Sequence, residues 1–289
     1  MLSRTRIVCS LLTVAVLALF VPSSSAQAAT PAPAESAQDL VRKVIARELE
    51  AEEKPARYIY RLRREGPGGS WIRDIVDTRD GLVSRLVALN GQPLTAEERA
   101  QDDRRLEKLL ANHEEQRKRQ QRQKQDAEQT RRLLRVLPDA FLYDYDGAEP
   151  GPHGELLRLK FRRNPKFDPP SRETVIYKGM EGTMVVEPRD LRVVRIDASL
   201  VQDATLGWGL LARLNKGGRF TLEQSLLPDG NLVTTGMTLD FTGKAFLFKT
   251  IRIKQKQSIS NFRPAPIGLS LAEGIELLRK QDSPVAEKK

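Results

Sequence analysis

Between Gly182 and Phe262 the polarity of the chain alternates residue by residue. Met184 and Val186 share one face, while Thr183, Val185 and Glu187 share the other, and Pro188-Arg189-Asp190 turns the chain. Val194, Ile196, Ala198 and Leu200 then alternate with Arg195, Asp197 and Ser199. Phe220 and Leu222 alternate with Arg219, Thr221 and Glu223, and Pro228-Asp229-Gly230 closes a hairpin. Val233, Thr235, Met237, Leu239 and Phe241 line the next strand, and Ile251 and Ile253 lie on the last. Period-two alternation bounded by Gly, Pro and Asp marks antiparallel strands with one buried and one wet face. With the amphipathic strand Leu157, Leu159, Phe161, the spacing predicts an antiparallel meander over 140–262.

The preceding chain changes period. Ser36 caps a helix over 36–54 whose stripe is Leu40, Val41, Val44, Ile45 and Leu49, and Pro55 stops it. Strands follow over 57–90, with Asp80-Gly81 as a two-residue hairpin turn. Thr95 with Glu98, and Asn112 with Glu115, cap two successive helices over 95–137, the second ended by Pro138. From Glu114 to Glu128 that helix is almost purely charged, with i,i+4 pairs Glu114–Lys118, Glu115–Arg119 and Glu128–Arg132. It has so little to bury that it reads as a solvated helix standing off the sheet, and deletion of 112–129 is expected to leave the fold standing. Ser171 caps a short helix towards Met180, and Ser270 caps a last helix over 270–280.

Composition narrows the chemistry. Arg4 and Arg6, an apolar run from Ile7 to Val21 and Ala26-Gln27-Ala28 form a secretory leader over 1–28, cleaved after Ala28. The expected product is one exported domain over 29–289. The single Cys, Cys9, and two positive charges leave with the leader, lowering the net charge from +10 to +8. That excludes disulfides, thiol nucleophiles and thiolate metal sites from the mature chain. His113 and His153 are isolated, so no metal site is expected. Asp144-Tyr145-Asp146-Gly147 with Glu155 fails as a calcium loop, because Ala148 and Glu149 stand where a ligand and the sharp-turn Gly belong. No nucleophile elbow, phosphate loop or zinc-protease motif occurs, so the expected protein has no catalytic residues and no cofactor. The basic helix has no interleaved aromatics, and nucleic acid is not an expected partner.

The hairpin Gly182-Thr183-Met184-Val185-Val186-Glu187-Pro188, returning as Leu191-Arg192-Val193-Val194-Arg195-Ile196, resembles that of the periplasmic lipoprotein-carrier superfamily with the LolA/LolB-like fold. The resemblance extends over roughly Ser36 to Phe262; the charged helix pair and the Pro-rich loop at 165–170 depart from the pattern. It implies an α+β fold: a curved, mainly antiparallel sheet forming an unclosed β-barrel, with helices covering the open side and the helix pair as an insertion. It also implies an apolar cavity for acyl chains, and hence a non-enzymatic envelope carrier, periplasmic or outer-membrane-associated and monomeric, whose partner is a lipid or lipidated protein. The expected lining is Trp208, Leu210, Leu211, Phe220, Met237, Phe241, Phe246 and Phe248. Trp208, between Gly207 and Gly209, is the expected lid at the mouth. The alternative is an envelope protein–protein module that uses the charged helix pair over an ordinary packed core.

Overall fold

The computed structural model describes residues 35–53, 56–206, 212–245 and 249–281. The expected leader and cleavage site therefore lie outside the described residues. Helix α1 (Ala37–Glu53) leads into β1 (Tyr58–Gly66), β2 (Gly69–Thr78), β3 (Gly81–Leu89) and the short β4 (Gln92–Pro93). Helices α2 (Ala96–Ala111) and α3 (His113–Ala140) precede β5 (Phe141–Gly151) and β6 (Gly154–Arg163). After a 3-10 turn (Glu173–Gly179) come β7 (Met180–Glu187), β8 (Arg192–Leu200), β9 (Ala204–Leu206) and β10 (Ala212–Leu214). The chain closes with β11 (Arg219–Leu226), β12 (Leu232–Ala245), β13 (Lys249–Pro264) and α4 (Leu271–Lys280). None of the described helices is long and apolar enough to cross a membrane.

The thirteen strands make one curved antiparallel sheet, in the order β4-β3-β2-β1-β13-β12-β11-β8-β7-β6-β5. The first and last long strands meet in its middle, where β1 pairs with β13. β3 with β4 forms one edge and β5 the other, and the edges do not pair, so the barrel stays open. Directly paired residues share a face, so the register identifies the concave side. Over β5 to β8 that side is apolar, with Phe141, Phe161, Leu159, Met184, Val193 and Leu200 among its buried members. Helix α1 lays Leu40, Val41, Val44 and Ile45 onto it. Each aliphatic side chain so buried contributes roughly 1.5–3 kcal/mol. A second core occupies the convex face of β1 to β3, where Ile59, Val76 and Val83 meet Leu106 and Leu109 of α2 and Ile275 and Leu278 of α4. The helices α2 and α4 thus cover the convex face of these three strands.

Two β-bulges revise the alternation. Val185 pairs with Arg195 while Val186 pairs with Val193, so Val194 is the extra residue and Val193 turns into the core in its place. Thr235 is extra between the pairs Glu223–Gly236 and Gln224–Thr234, which separates Val233 from the face shared by Met237, Leu239 and Phe241. The Asp144–Glu155 segment is a hairpin closing at Gly151–Gly154, and the turn after Ser171 is 3-10 and not α.

The charged helix pair differs most from expectation. The side of α3 turned towards the protein carries Gln116, Arg119, Gln120, Gln123 and Ala127 at helical spacing, all half-buried. β3 is an edge strand over 82–86, because β4 pairs only with Ala88 and Leu89. Its outward backbone groups are satisfied by helix side chains. Gln123 Oε1 accepts from Leu82 N–H at 3.1 Å, and Gln123 Nε2 donates to Leu82 O at 3.3 Å, where Arg119 Nη2 also donates. Arg105 Nη2 donates to Ser84 O at 2.6 Å, and Asp102 Oδ2 accepts from Leu86 N–H at 2.9 Å. The helix pair therefore seals a sheet edge instead of standing off it. The pair Glu114–Lys118 forms at 2.6 Å. Arg119 instead serves the edge, and Glu128 pairs with Arg131 and not with Arg132.

Nor does Pro138 end α3, which runs on to Ala140 with Pro138 in its last turn. The carbonyls left over there are taken by Gln38 Nε2, which donates to Pro138 O and to Phe141 O, and by Asn164 Nδ2, 2.8 Å from Asp139 O. At 28 residues, α3 is about 42 Å long, and it carries the chain from the β3 edge to the β5 edge.

Candidate functional site

Helix α1 covers only part of the concave face. Beyond its C-terminal end a cavity of about 830 Å³ opens, bounded by β1 to β3 on one side and the β11–β12 hairpin on the other. Its apolar lining comes from Tyr58, Tyr60, Leu82, Val233, Ile259 and Phe262. The three rings form one group: Phe262 stacks on Tyr60 with centroids 5.6 Å apart, and Tyr58 meets Phe262 edge-on at 5.8 Å. Tyr58 Oη donates to Asp229 Oδ2 at 2.7 Å, tying the β11–β12 turn to β1. The turn itself is the expected one, with Gly230 at positive φ and Leu227 N–H donating to Asn231 O.

The wall supplied by α1 is charged. Glu48 is buried and takes a two-point contact from Arg192, Nε to Oε1 at 2.9 Å and Nη2 to Oε2 at 3.3 Å, while Val193 N–H donates to Oε1 at 3.0 Å. Arg47 pairs with Glu50 at 3.2 Å. Both cations among the described lining residues are thereby neutralised, and Glu52, Glu53 and Asp77 remain. The result is an acidic cavity in a chain whose net charge is +10.

Asp77 lies on the concave face of β2, half-buried. Burial holds its carboxyl above the usual aspartate value of 3.8, against the opposing pull of Arg57. Burial, and then the charge of Asp77, push the Tyr60 phenol up to about 12. The arrangement is an aromatic and aliphatic floor beneath walls that are largely charged and polar, more polar than the usual small-molecule site. Among the described residues no cluster of three or more His, Cys, Asp or Glu is placed to hold a metal ion.

None of the three expected lining residues that are described, Phe220, Met237 and Phe241, lines this cavity. Trp208, Leu210, Leu211, Phe246 and Phe248 lie outside the described residues. Phe241 is a core residue, only 5% exposed, rather than a cavity residue, because its ring packs into the α1-covered cluster against Gly218. Phe220 packs against that cluster too. Met237 is half-buried on the concave face, paired with Leu222 and with Gln257, two residues along β13 from Ile259. Sequence reading missed Tyr60, Asp77, Ile259 and Phe262. The available signal was Asp77 itself, a carboxylate in the apolar stretch Ile75-Val76-Asp77.

No family model matches the chain, and no curated protein matches it. A solved structure of a DUF1329 family protein from Desulfovibrio piger aligns over 84% of this chain and 100% of that one, at 12% identity and a TM-score of 0.29. A likeness at that level carries no argument about function, which must come from the cavity.

Proposed function

We propose that this chain is an exported, non-enzymatic protein of a bacterial envelope that holds the acyl chain of a lipid or lipidated protein on the concave face of its open barrel. The observation that carries the reading is the 830 Å³ cavity floored by Tyr60, Leu82, Ile259 and Phe262. It lies where α1 leaves the curved sheet uncovered, and its size falls within the range of roughly 300–1,000 Å³ usual for ligand pockets. The basic start and Ala26-Gln27-Ala28 support export. A second reading, an envelope interaction module that presents the outward side of α3, draws on the ordinary packed core beneath α1.

Titration of a fluorescent fatty-acid probe into detergent-free protein separates the two. The carrier reading expects saturable binding that Ile259→Glu weakens at least about tenfold by burying an unpaired charge against the chain. Binding left unchanged by Ile259→Glu contradicts the cavity assignment, and absence of binding by the unmutated protein favours the module.

A further inference from the structure

The polar end of the ligand is legible from the same cavity, an inference that rests on the carrier reading. Two polar groups there keep unused hydrogen-bonding capacity. Among the described residues, no hydrogen bond acts on the Asp77 carboxylate or on the Tyr60 hydroxyl. Both belong to strands inside the sheet, β2 and β1, and both line the cavity with Leu82 and Ile259. A carboxylate half-withdrawn from water, with only the charge of the exposed Arg57 acting on it, is stabilised by whatever brings it charge and donors. Among the described lining residues the cations are Arg47 and Arg192, and these already bind Glu50 and Glu48. Arg57, whose charge reaches Asp77, is exposed. Glu52 and Glu53 add further negative charge along the α1 wall.

We infer that the cavity selects an amphiphile bearing an ammonium group, the ammonium donating to the Asp77 carboxylate and the Tyr60 hydroxyl while the hydrocarbon chain lies along Leu82, Ile259 and Phe262. An ammonium offers several donors and a positive charge, which matches a carboxylate and a phenol oxygen that line the same cavity. A carboxylate or phosphate head must instead enter against Asp77, Glu52 and Glu53. This preference runs opposite to the one suggested by the net charge of the chain, so net charge alone would not have predicted it.

The test is competition for the bound fluorescent acyl probe in the full-length exported protein. Dodecylammonium, dodecanoate and dodecyl maltoside serve as competitors of matched chain length, against the unmutated protein, Asp77→Asn and Tyr60→Phe. Dodecylammonium should compete at least about tenfold better than dodecanoate. In Asp77→Asn that preference should fall to near parity while the maltoside is unaffected, and Tyr60→Phe should reduce it in part. Equal competition by the two charged heads, or a preference that survives Asp77→Asn, overturns the inference and leaves the carrier reading intact. Failure of the protein to bind the probe or any of the three overturns the carrier reading itself. Mass analysis of co-purified material distinguishes an aminophospholipid from a lipidated peptide with a free amino terminus; a bound amphiphile with no amino group overturns the inference.

Discussion

Asp77 should burden the ligand-free fold, and the burden should depend on pH. Its folded-state pKa is raised, so the folded state holds the proton more tightly than the unfolded chain does. Below the unfolded value of 3.8 the carboxyl is protonated in both states and costs nothing. The penalty grows as pH rises from there and is complete above the folded-state value. Asp77→Asn should therefore raise the Tm of ligand-free protein at neutral pH and lose that advantage in acid. An Asn variant that is less stable at neutral pH would show that the carboxylate has a partner in the fold. A group that weakens the fold while serving the ligand is the usual stability–activity compromise at a site. Glu48 is the opposite case. Its removal strands Arg192 and the Val193 N–H inside the protein, so Glu48→Ala should cost about 3–5 kcal/mol, whereas replacing Glu48 and Arg192 together by Leu and Met strands only the Val193 N–H and should cost about 1–3 kcal/mol. Urea unfolding of the two variants measures both, and a loss below about 1 kcal/mol for Glu48→Ala would mean that water replaces the pair.

At the scale of elements, α3 takes the part that a closing strand would otherwise play. Gln123→Ala alone should cost about 1 kcal/mol, since it removes two ordinary hydrogen bonds that water can partly replace. Deleting 112–129 with a short Gly/Ser bridge removes Arg119, Gln120 and Gln123 together, leaving the Leu82 edge bare. Light scattering should then show self-association through the unpaired β3 edge; a deletion that stays monomeric and melts at the unmutated temperature would contradict the sealing role. The α-helix caps were legible here, since Thr95 with Glu98, Asn112 with Glu115 and Ser270 all cap their helices, but Ser171 was not, because Arg172 stands at the start of its 3-10 turn without a side-chain cap. The α1 stripe was legible too, because apolar burial leaves a periodic trace. The inward side of α3 was not, because a helix that docks through Gln and Arg onto backbone groups has the same composition as one in water. The Val194 bulge was invisible for a related reason, since either of two adjacent valines fits the core.

For the whole molecule, the open sheet was readable from alternation and turns, while the cavity was not. Its walls are assembled from strands far apart in sequence, with Tyr60 and Asp77 near the start of the domain and Ile259 and Phe262 near its end, brought together by the β1–β13 pairing. Neither end of the chain carries the signal alone. The aromatic and aliphatic residues that drew attention in the sequence, such as Phe241, are those that the core consumes. What α1 leaves uncovered defines the site, and that depends on where a seventeen-residue helix ends on the sheet. The central claim is that this uncovered face holds an acyl chain in the protein as it is made. Native mass spectrometry of the exported protein, purified without detergent, tests it most directly. The account predicts a reproducible adduct of lipid mass that is lost in Ile259→Glu; a bare polypeptide mass in every preparation, with no uptake of added acyl probe, would contradict it.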